Sequence, residues 1–368
     1  MASAQLRIGL VRRGYSSSGG AETYLKRLAA GICAAGHEAH LFTGAEWPVE
    51  EWPFGALTRV PGASPLQFAD ELEKLRPGAG CDVWMSLERV WQCDLFRAGD
   101  GVHRAWLQRR AQLAGPWRRV ADQWNAKHRA ILQLEESLLA QQRAGRVIAN
   151  SHMVQTEITA TYDYPAARID VVPNGVPVEQ FRVSAEVRER TRLKLGLPGS
   201  EIVALFVGSG WERKGLRFAV DAIAHAAVPH LRLLVAGRGS PARYRGDAVQ
   251  FLGVASELPA LYAAADIFLL PTIYDPFSNA CLEALAAGLP VITTRANGFA
   301  EIVEEGVHGS VIETPGDMAA IASALRRWCD SARREATRPR RFELGARFDI
   351  SVNVARTLEL LLATSRGG

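Results

Sequence analysis

Short apolar runs alternate with longer segments of helical period along the chain, the pattern of a parallel sheet covered by helices. Residues 7–11 read as a strand, 21–35 as a helix, and 38–43 as a second strand after the stop at Gly36. Further strands are expected at 82–86, 94–98, 147–150 and 169–172. Pro173-Asn174-Gly175 then breaks the pattern with turn chemistry. A second alternating series follows, with strands at 202–207, 231–236, 251–252, 267–270, 291–294 and 310–312 and a helix over 215–226. The stretch 333–341 is basic and polar, and an amphipathic helix near 352–363 closes the chain. Two successive α/β halves joined near 173–185 account for the whole length.

At 368 residues the chain is too long for one ordinary domain. The expected division is an N-terminal Rossmann-like domain over 1–173, a second over 174–345, and a terminal helix over 346–368 packing back on the first. A net charge of +4 is mild and gives no reason to expect a nucleic-acid partner. Charge position says more: between Arg104 and Arg129 stand seven Lys/Arg and one acid, Asp122. The five cysteines are scattered without metal-ligand spacing and read as reduced packing residues. No apolar run reaches the roughly 18–20 residues of a membrane-crossing helix, and the N-terminus lacks the layout of a secretion signal. A cytoplasmic protein able to touch a membrane surface is the expectation.

Three segments carry candidate chemistry. Ser16-Ser17-Ser18-Gly19-Gly20-Ala21-Glu22 is a small-residue loop between strand and helix; either the backbone there approaches an anion at the helix N-terminus or the loop is a plain tight turn. Val207-Gly208-Ser209-Gly210-Trp211-Glu212-Arg213-Lys214-Gly215 occupies the same kind of position in the second half. Its Arg213 and Lys214 are phosphate ligands or solvated loop charges. The third is Tyr274-Asp275-Pro276-Phe277-Ser278-Asn279-Ala280-Cys281-Leu282-Glu283-Ala284, followed by Ala287-Gly288-Leu289-Pro290-Val291. Two carboxylates lie eight positions apart, Asp275 in a loop after a strand and Glu283 inside a helix among apolar neighbours. One acid could hold a sugar while the other holds a ribose.

In this order and spacing the motifs resemble those of glycosyltransferase family 4, whose retaining enzymes have the GT-B fold. The resemblance spans almost the whole chain and rests on Gly19-Gly20-Ala21-Glu22, Val172-Pro173-Asn174-Gly175-Val176, Arg213-Lys214-Gly215, and the acid pair with its sequel. It implies two Rossmann-like domains facing each other across a cleft, with the nucleotide sugar held by the second. It further implies that Arg213 and Lys214 bind the diphosphate, that Glu283 contacts the ribose, and that backbone amides of Phe277, Ser278 and Asn279 hold sugar hydroxyls. The resemblance also implies that Gly19 and Gly20 are donor-side positions. The first acid, which contacts the donor hexose, is usually Glu in the family; Asp275 here is one methylene shorter. No DxD motif is present, in keeping with family members that need no metal or other cofactor. The charge of the departing diphosphate then falls to Arg213, Lys214 and helix N-termini.

A narrower resemblance is to the lipopolysaccharide core glucosyltransferases that transfer glucose from UDP-glucose to heptose. Shared features are the Gly208-Ser209…Arg213-Lys214-Gly215 form, the Ala98-Gly99-Asp100 step ending a strand, and a long basic helical segment after it. This implies an active-site role for Asp100 and places His103, three residues on, beside it if a helix has begun. The basic segment also contains Trp106, Trp117 and Trp124. Arg109, Arg110, Trp117, Arg118 and Arg119 therefore suit an anionic inner-membrane surface or a phosphorylated glycolipid acceptor, or else form a domain-packing helix. A nucleotide-sugar epimerase on the same fold would need acid/base pairs that are not found, and a Rossmann oxidoreductase would need a full GxGxxG.

Overall fold

The structure is a computed structural model that describes residues 5–15, 20–44, 46–114, 125–244 and 246–366. The expectations placed on Gly19, Trp117, Arg118, Arg119 and Trp124 lie outside the described residues. The chain divides into two compact units, with breaks between Pro173 and Asn174 and between Val352 and Asn353.

The first unit is built on seven strands: β1 (Arg7–Arg12), β2 (Glu38–Thr43), β3 (Leu57–Arg59), β4 (Val83–Ser86), β5 (Cys93–Arg97), β6 (Ala144–Ala149) and β7 (Ile169–Val171). Their order is β3-β2-β1-β4-β5-β6-β7, and every neighbouring pair is parallel. The second unit has six strands: β8 (Ile202–Val207), β9 (Leu231–Ala236), β10 (Val249–Gly253), β11 (Ile267–Leu270), β12 (Val291–Thr294) and β13 (Gly309–Ile312). Their order is β10-β9-β8-β11-β12-β13, again all parallel. Both are doubly wound Rossmann-type sheets. The order reverses beside β1 in the first unit and beside β8 in the second, so each has a crevice at the carboxyl ends of its central strands, where such sheets bind ligands.

Continuous apolar runs make the central strands because helices cover both faces of a parallel sheet. Val203 to Phe206 of β8 and Ile267 to Leu270 of β11 are fully buried. The helices start where the sequence supplies caps. Ser64 and Gln67 form a capping box before Pro65–Leu75, Asn125 caps Ala126–Leu139, and Ser151 caps His152–Tyr162.

Three features depart from the sequence pattern. β3 is an edge strand of three half-exposed or exposed residues, too short to leave a period. The basic segment is not one helix: His103–Ala114 is followed by a new helix at Ala126, because Asn125 is extended and accepts from the amides of Lys127 and His128. The polar stretch 333–341 lies within the helix Ser331–Ala346, with Pro339 inside it and Arg341 buried by bonding to backbone carbonyls. The last helix is Ile350–Arg366.

Candidate active site

The second unit gathers its candidate residues at the β8/β11 switch point. After β8 the chain makes one helical turn, Trp211–Lys214, with Gly210 and Gly215 in left-handed backbone at its two ends. Gly215 has φ +76°, and a Cβ there would lie 1.9 Å from the Pro271 carbonyl oxygen, so no other residue fits. That close approach brings the turn against the loop after β11. The Arg213 carbonyl accepts from Thr272 Oγ1 at 2.8 Å and from the Ile273 amide at 2.9 Å, while Arg213 Nε donates to the Tyr274 carbonyl at 3.0 Å. Lys214 Nζ reaches Asp275 Oδ2 at 2.5 Å. Asp275 is buried, its amide donating to Ala296 and its carbonyl accepting from Gly298. Loops following β8, β11 and β12 thus converge on one cation–carboxylate pair.

Ser278 starts the helix Asn279–Ala286, its Oγ accepting from the Cys281 amide. Phe277, packed on Phe299 and Phe348, fixes the entry to that helix, and its carbonyl accepts from Asn174 Nδ2 at 2.7 Å. The Ser278 amide donates to Asn297 Oδ1 at 3.3 Å. Asn279 Oδ1 is buried without a hydrogen-bond partner among the described residues. Further along the helix, Glu283 Oε2 accepts from Tyr262 Oη at 2.8 Å. Burial pushes the Glu283 carboxyl up to about 7, against the opposing pull of the Tyr262 hydrogen bond and Lys214. A carboxyl so placed changes its charge near neutral pH.

In the first unit Asp100 follows β5 and is exposed, in a turn closed by the Gly101 amide on the Ala98 carbonyl. Two arginines flank it electrostatically. Burial alone would lower the Arg12 guanidinium, but Glu88, Glu22 and Asp100 hold it above its ordinary value. Arg12 ends β1 and bonds Glu22 at 3.2 Å and Glu88 at 3.0 Å. Arg89, likewise raised by Glu135 and Asp100 against burial, bonds Glu135 and the Gly101 carbonyl.

The helix does begin at His103, whose amide donates to Glu135. Arg110 Nη2 donates to His128 Nε2 at 3.1 Å, so His128 Nδ1–H is the donor to His103 Nε2 at 3.0 Å. Burial and the nearby Arg89 draw His103 down to about 4, leaving it neutral at physiological pH. Arg110 is buried and lies over the Trp106 ring, while Arg109 pairs with Glu157 at 2.6 Å. Gly20 opens the helix Gly20–Ala34.

Two family models match the chain: Glycosyltransferase Family 4 over residues 18–180 and Glycosyl transferases group 1 over residues 201–331. Together they reach into both units. The chain carries a glycosyltransferase family 4 domain and a glycosyl transferases group 1 domain. The lipopolysaccharide glucosyltransferase WaaG of Escherichia coli (strain K12) is 24% identical over 355 residues, covering 88% of this chain and 92% of that protein. The crystal structure of WaaG superposes with a TM-score of 0.82 at 20% identity, covering 96% of this chain and 99% of the other. The Anabaena protein Alr3699/HepE, solved in complex with UDP and glucose, gives 0.75 at 19% identity, over 98% of this chain and all of that one. These likenesses show the GT-B fold. A D-inositol 3-phosphate glycosyltransferase of Corynebacterium kroppenstedtii is 30% identical over 209 residues, 51% of this chain and 46% of that enzyme. The chain spans about half the length of the first such relatives, from 46% to 55%.

The structure brings Arg213, Lys214, Asp275, Phe277, Ser278, Asn279 and Glu283, all inside the group 1 match, onto neighbouring loops and one helix of the second unit. Asp100 and His103 share a turn and a helix start in the first. Several supporting residues carry no sequence signal. Tyr262 comes from the helix Leu258–Ala264 and reads as an apolar core position until its hydroxyl is placed on Glu283. Asn297 binds the amides of Ser278 and Phe299 and donates to Thr293, acting as a buried brace. Glu22, by contrast, stands in the Gly19-Gly20-Ala21-Glu22 motif, and its bond to Arg12 explains an acid at that place.

Proposed function

We propose that the chain is a retaining hexosyltransferase that moves glucose from UDP-glucose to a heptose of the lipopolysaccharide inner core. The observation that carries this reading is the convergence of Arg213, Lys214, Asp275 and Glu283 at the switch point of one Rossmann-type sheet. A nucleotide sugar needs cations for its diphosphate, an acid for its ribose and an acid for its hexose, and these residue types stand there together. The likeness to WaaG, a lipopolysaccharide glucosyltransferase, and to HepE in complex with UDP and glucose supports the choice of donor and acceptor.

In this reading the second unit binds the donor. Arg213 and Lys214 meet the diphosphate, Glu283 accepts from the ribose hydroxyls, and Asp275 with the loop Phe277–Asn279 addresses the hexose. The sugar C1–O bond to the diphosphate breaks as the acceptor oxygen bonds C1 on the same face, and the acceptor hydroxyl passes its proton to the leaving diphosphate oxygen. Charge builds on the leaving diphosphate, where fixed cations stabilise it without reorganising. No cofactor or metal ion takes part: Lys214 and Arg213 supply the positive charge. The first unit presents the acceptor, with Asp100 at the reacting end and His103 beside it. Arg118, Arg119 and Trp117 belong to a segment that contacts the phosphorylated glycolipid and the anionic cytoplasmic face of the inner membrane; Arg110, buried on His128, and Arg109, paired with Glu157, are engaged within the protein instead, and nucleic acid is no partner. None of the described helices is long and apolar enough to cross a membrane, so that association would be peripheral.

The experiment is a panel of nucleotide sugars, titrated by calorimetry and then assayed for turnover. UDP-glucose is expected to bind and turn over best. Preference for another nucleotide sugar would keep the transferase and change its donor; no binding of any would remove the reading.

A further inference from the structure

Within the second unit, a cavity of about 170 Å³ is lined by Arg188, Arg334, Arg338 and Arg341 together with Asp266 and Glu335. Ala287 and Gly288, just after the helix that carries Glu283, form part of its wall, as does Tyr262. Two cations exceed the anions among the lining side chains, and the carboxylates are shared thinly. Asp266 serves Arg188 at 2.8 Å, Arg192 at 3.3 Å and Arg334 at 3.6 Å. Glu335 stands 3.6 Å from Arg338, a loose pair between exposed side chains. Arg341 is 1% exposed, and its hydrogen bonds all go to neutral oxygens of Gly288, Val307, Thr337 and Arg334. Burial and its neighbours Arg338 and Arg334 draw that guanidinium down to about 10, the behaviour of a cation short of counter-charge.

We propose that this cavity is a second anion site, separate from the Arg213–Lys214 loop, that takes one phosphate group, free or on a small phosphomonoester. A concave site with one sign of charge in excess concentrates the opposite ion. Guanidinium forks match phosphate oxygens in a way that carboxylates and carbonyls do not. The volume is below the roughly 300–1,000 Å³ of pockets that enclose drug-sized ligands, which favours a phosphate or short ester over a nucleotide. Arg338 supplies the adaptable contact. Its guanidinium rests on the Phe342 ring at 5.4 Å and its only ion pair among the described residues is the loose one to Glu335.

The test uses the full chain carrying Arg213→Ala and Lys214→Ala, so that neither the other cationic loop nor its assignment enters the result. Inorganic phosphate and glycerol phosphate are titrated by calorimetry. Saturable binding is expected, weakened about tenfold or more by Arg338→Ala, the loss of one charge-assisted contact. Glu335→Gln removes the competing carboxylate and is expected to tighten it. Both side chains are substantially exposed, and an unchanged thermal melt without ligand confirms folding; Glu335→Gln alone carries the test if Arg338→Ala misfolds. Tighter binding of glycerol phosphate assigns the site to an ester, and tighter binding of phosphate to the free ion. No saturable binding of either probe, or binding indifferent to both substitutions, overturns the proposal.

Discussion

Lys214 Nζ lies 2.5 Å from Asp275 Oδ2, so the cation assigned to the diphosphate and the acid assigned to the hexose neutralise each other in the protein without ligand. A diphosphate arriving at this loop competes with Asp275 for the same ammonium group. Lys214→Ala is therefore expected to lower UDP affinity by about tenfold or more, one charge-assisted contact being worth roughly 1.5–3 kcal/mol. Asp275→Asn is expected to leave UDP affinity equal or higher, because it frees Lys214, while turnover of the nucleotide sugar falls. Calorimetry with UDP and rate measurements on both variants check the pair. A parallel loss of UDP affinity in Asp275→Asn would show that Asp275 holds the nucleotide.

Glu283 titrates within the working pH range because burial lifts its carboxyl to about 7. If the ionised form accepts the ribose hydroxyls, UDP binds more tightly as pH rises through about 7, and Glu283→Gln flattens that profile. Stability runs the opposite way. The folded protein holds this proton more firmly than the unfolded chain, so stability is lost as pH rises from the ordinary carboxyl value of 4.5 towards about 7. Glu283→Gln removes that loss. Tyr262→Phe takes away the hydrogen bond that opposes the upward shift, and so moves the UDP profile to higher pH. Calorimetry and urea unfolding across this range measure both effects, and an unmoved UDP profile in Tyr262→Phe would separate Tyr262 from the site.

Asp100 is exposed between the fields of Arg12 and Arg89, in a turn closed by the Gly101 amide on the Ala98 carbonyl. Asp100→Ala is expected to depress transfer with unchanged donor affinity and unchanged unfolding midpoint. Full activity in the folded variant would return Asp100 to an ordinary turn residue.

The parts of this molecule that the sequence makes legible are those with a strong local cause. β2, β8, β9, β11 and β12 stand at the expected residues, and β8 and β11 are the clearest because helices cover both faces of the sheet and both strands are apolar throughout. The loop motifs are legible because glycines and prolines are forced: Gly215 cannot carry a side chain against Pro271. What stays hidden depends on partners far along the chain. Tyr262 meets Glu283 and Arg12 meets Glu88 only after the sheets form. Arg341 looks like a solvated charge within 333–341, yet it is buried on the Gly288 and Val307 carbonyls. The helix Pro65–Leu75 is absent from the expected elements, although Ser64-Pro65-Leu66-Gln67 is a capping box with proline at its first position and Phe68, Ala69 and Leu72 fall on one helical face.

Membrane contact rests on the seven basic residues and three tryptophans between Arg104 and Arg129. Arg110 is buried and Arg109 is paired with Glu157, which leaves Arg118, Arg119 and Trp117 as the side chains to test. A basic residue near an anionic surface contributes about 1 kcal/mol. Arg118→Ser with Arg119→Ser is expected to reduce pelleting with anionic vesicles, and added salt to reduce it further. Equal pelleting with neutral and anionic vesicles would leave the segment to the acceptor or to packing.

We propose that the Lys214–Asp275 site moves a hexose from a nucleotide sugar to a heptose-bearing lipopolysaccharide core. Mass spectrometry of that acceptor after incubation with UDP-glucose measures it directly, with and without chelator so that a metal requirement would show. The expected result is a gain of one hexose with wild-type protein and a sharply reduced gain with Lys214→Ala. An acceptor of unchanged mass with UDP-glucose and every other nucleotide sugar, or a gain undiminished by Lys214→Ala, would contradict it.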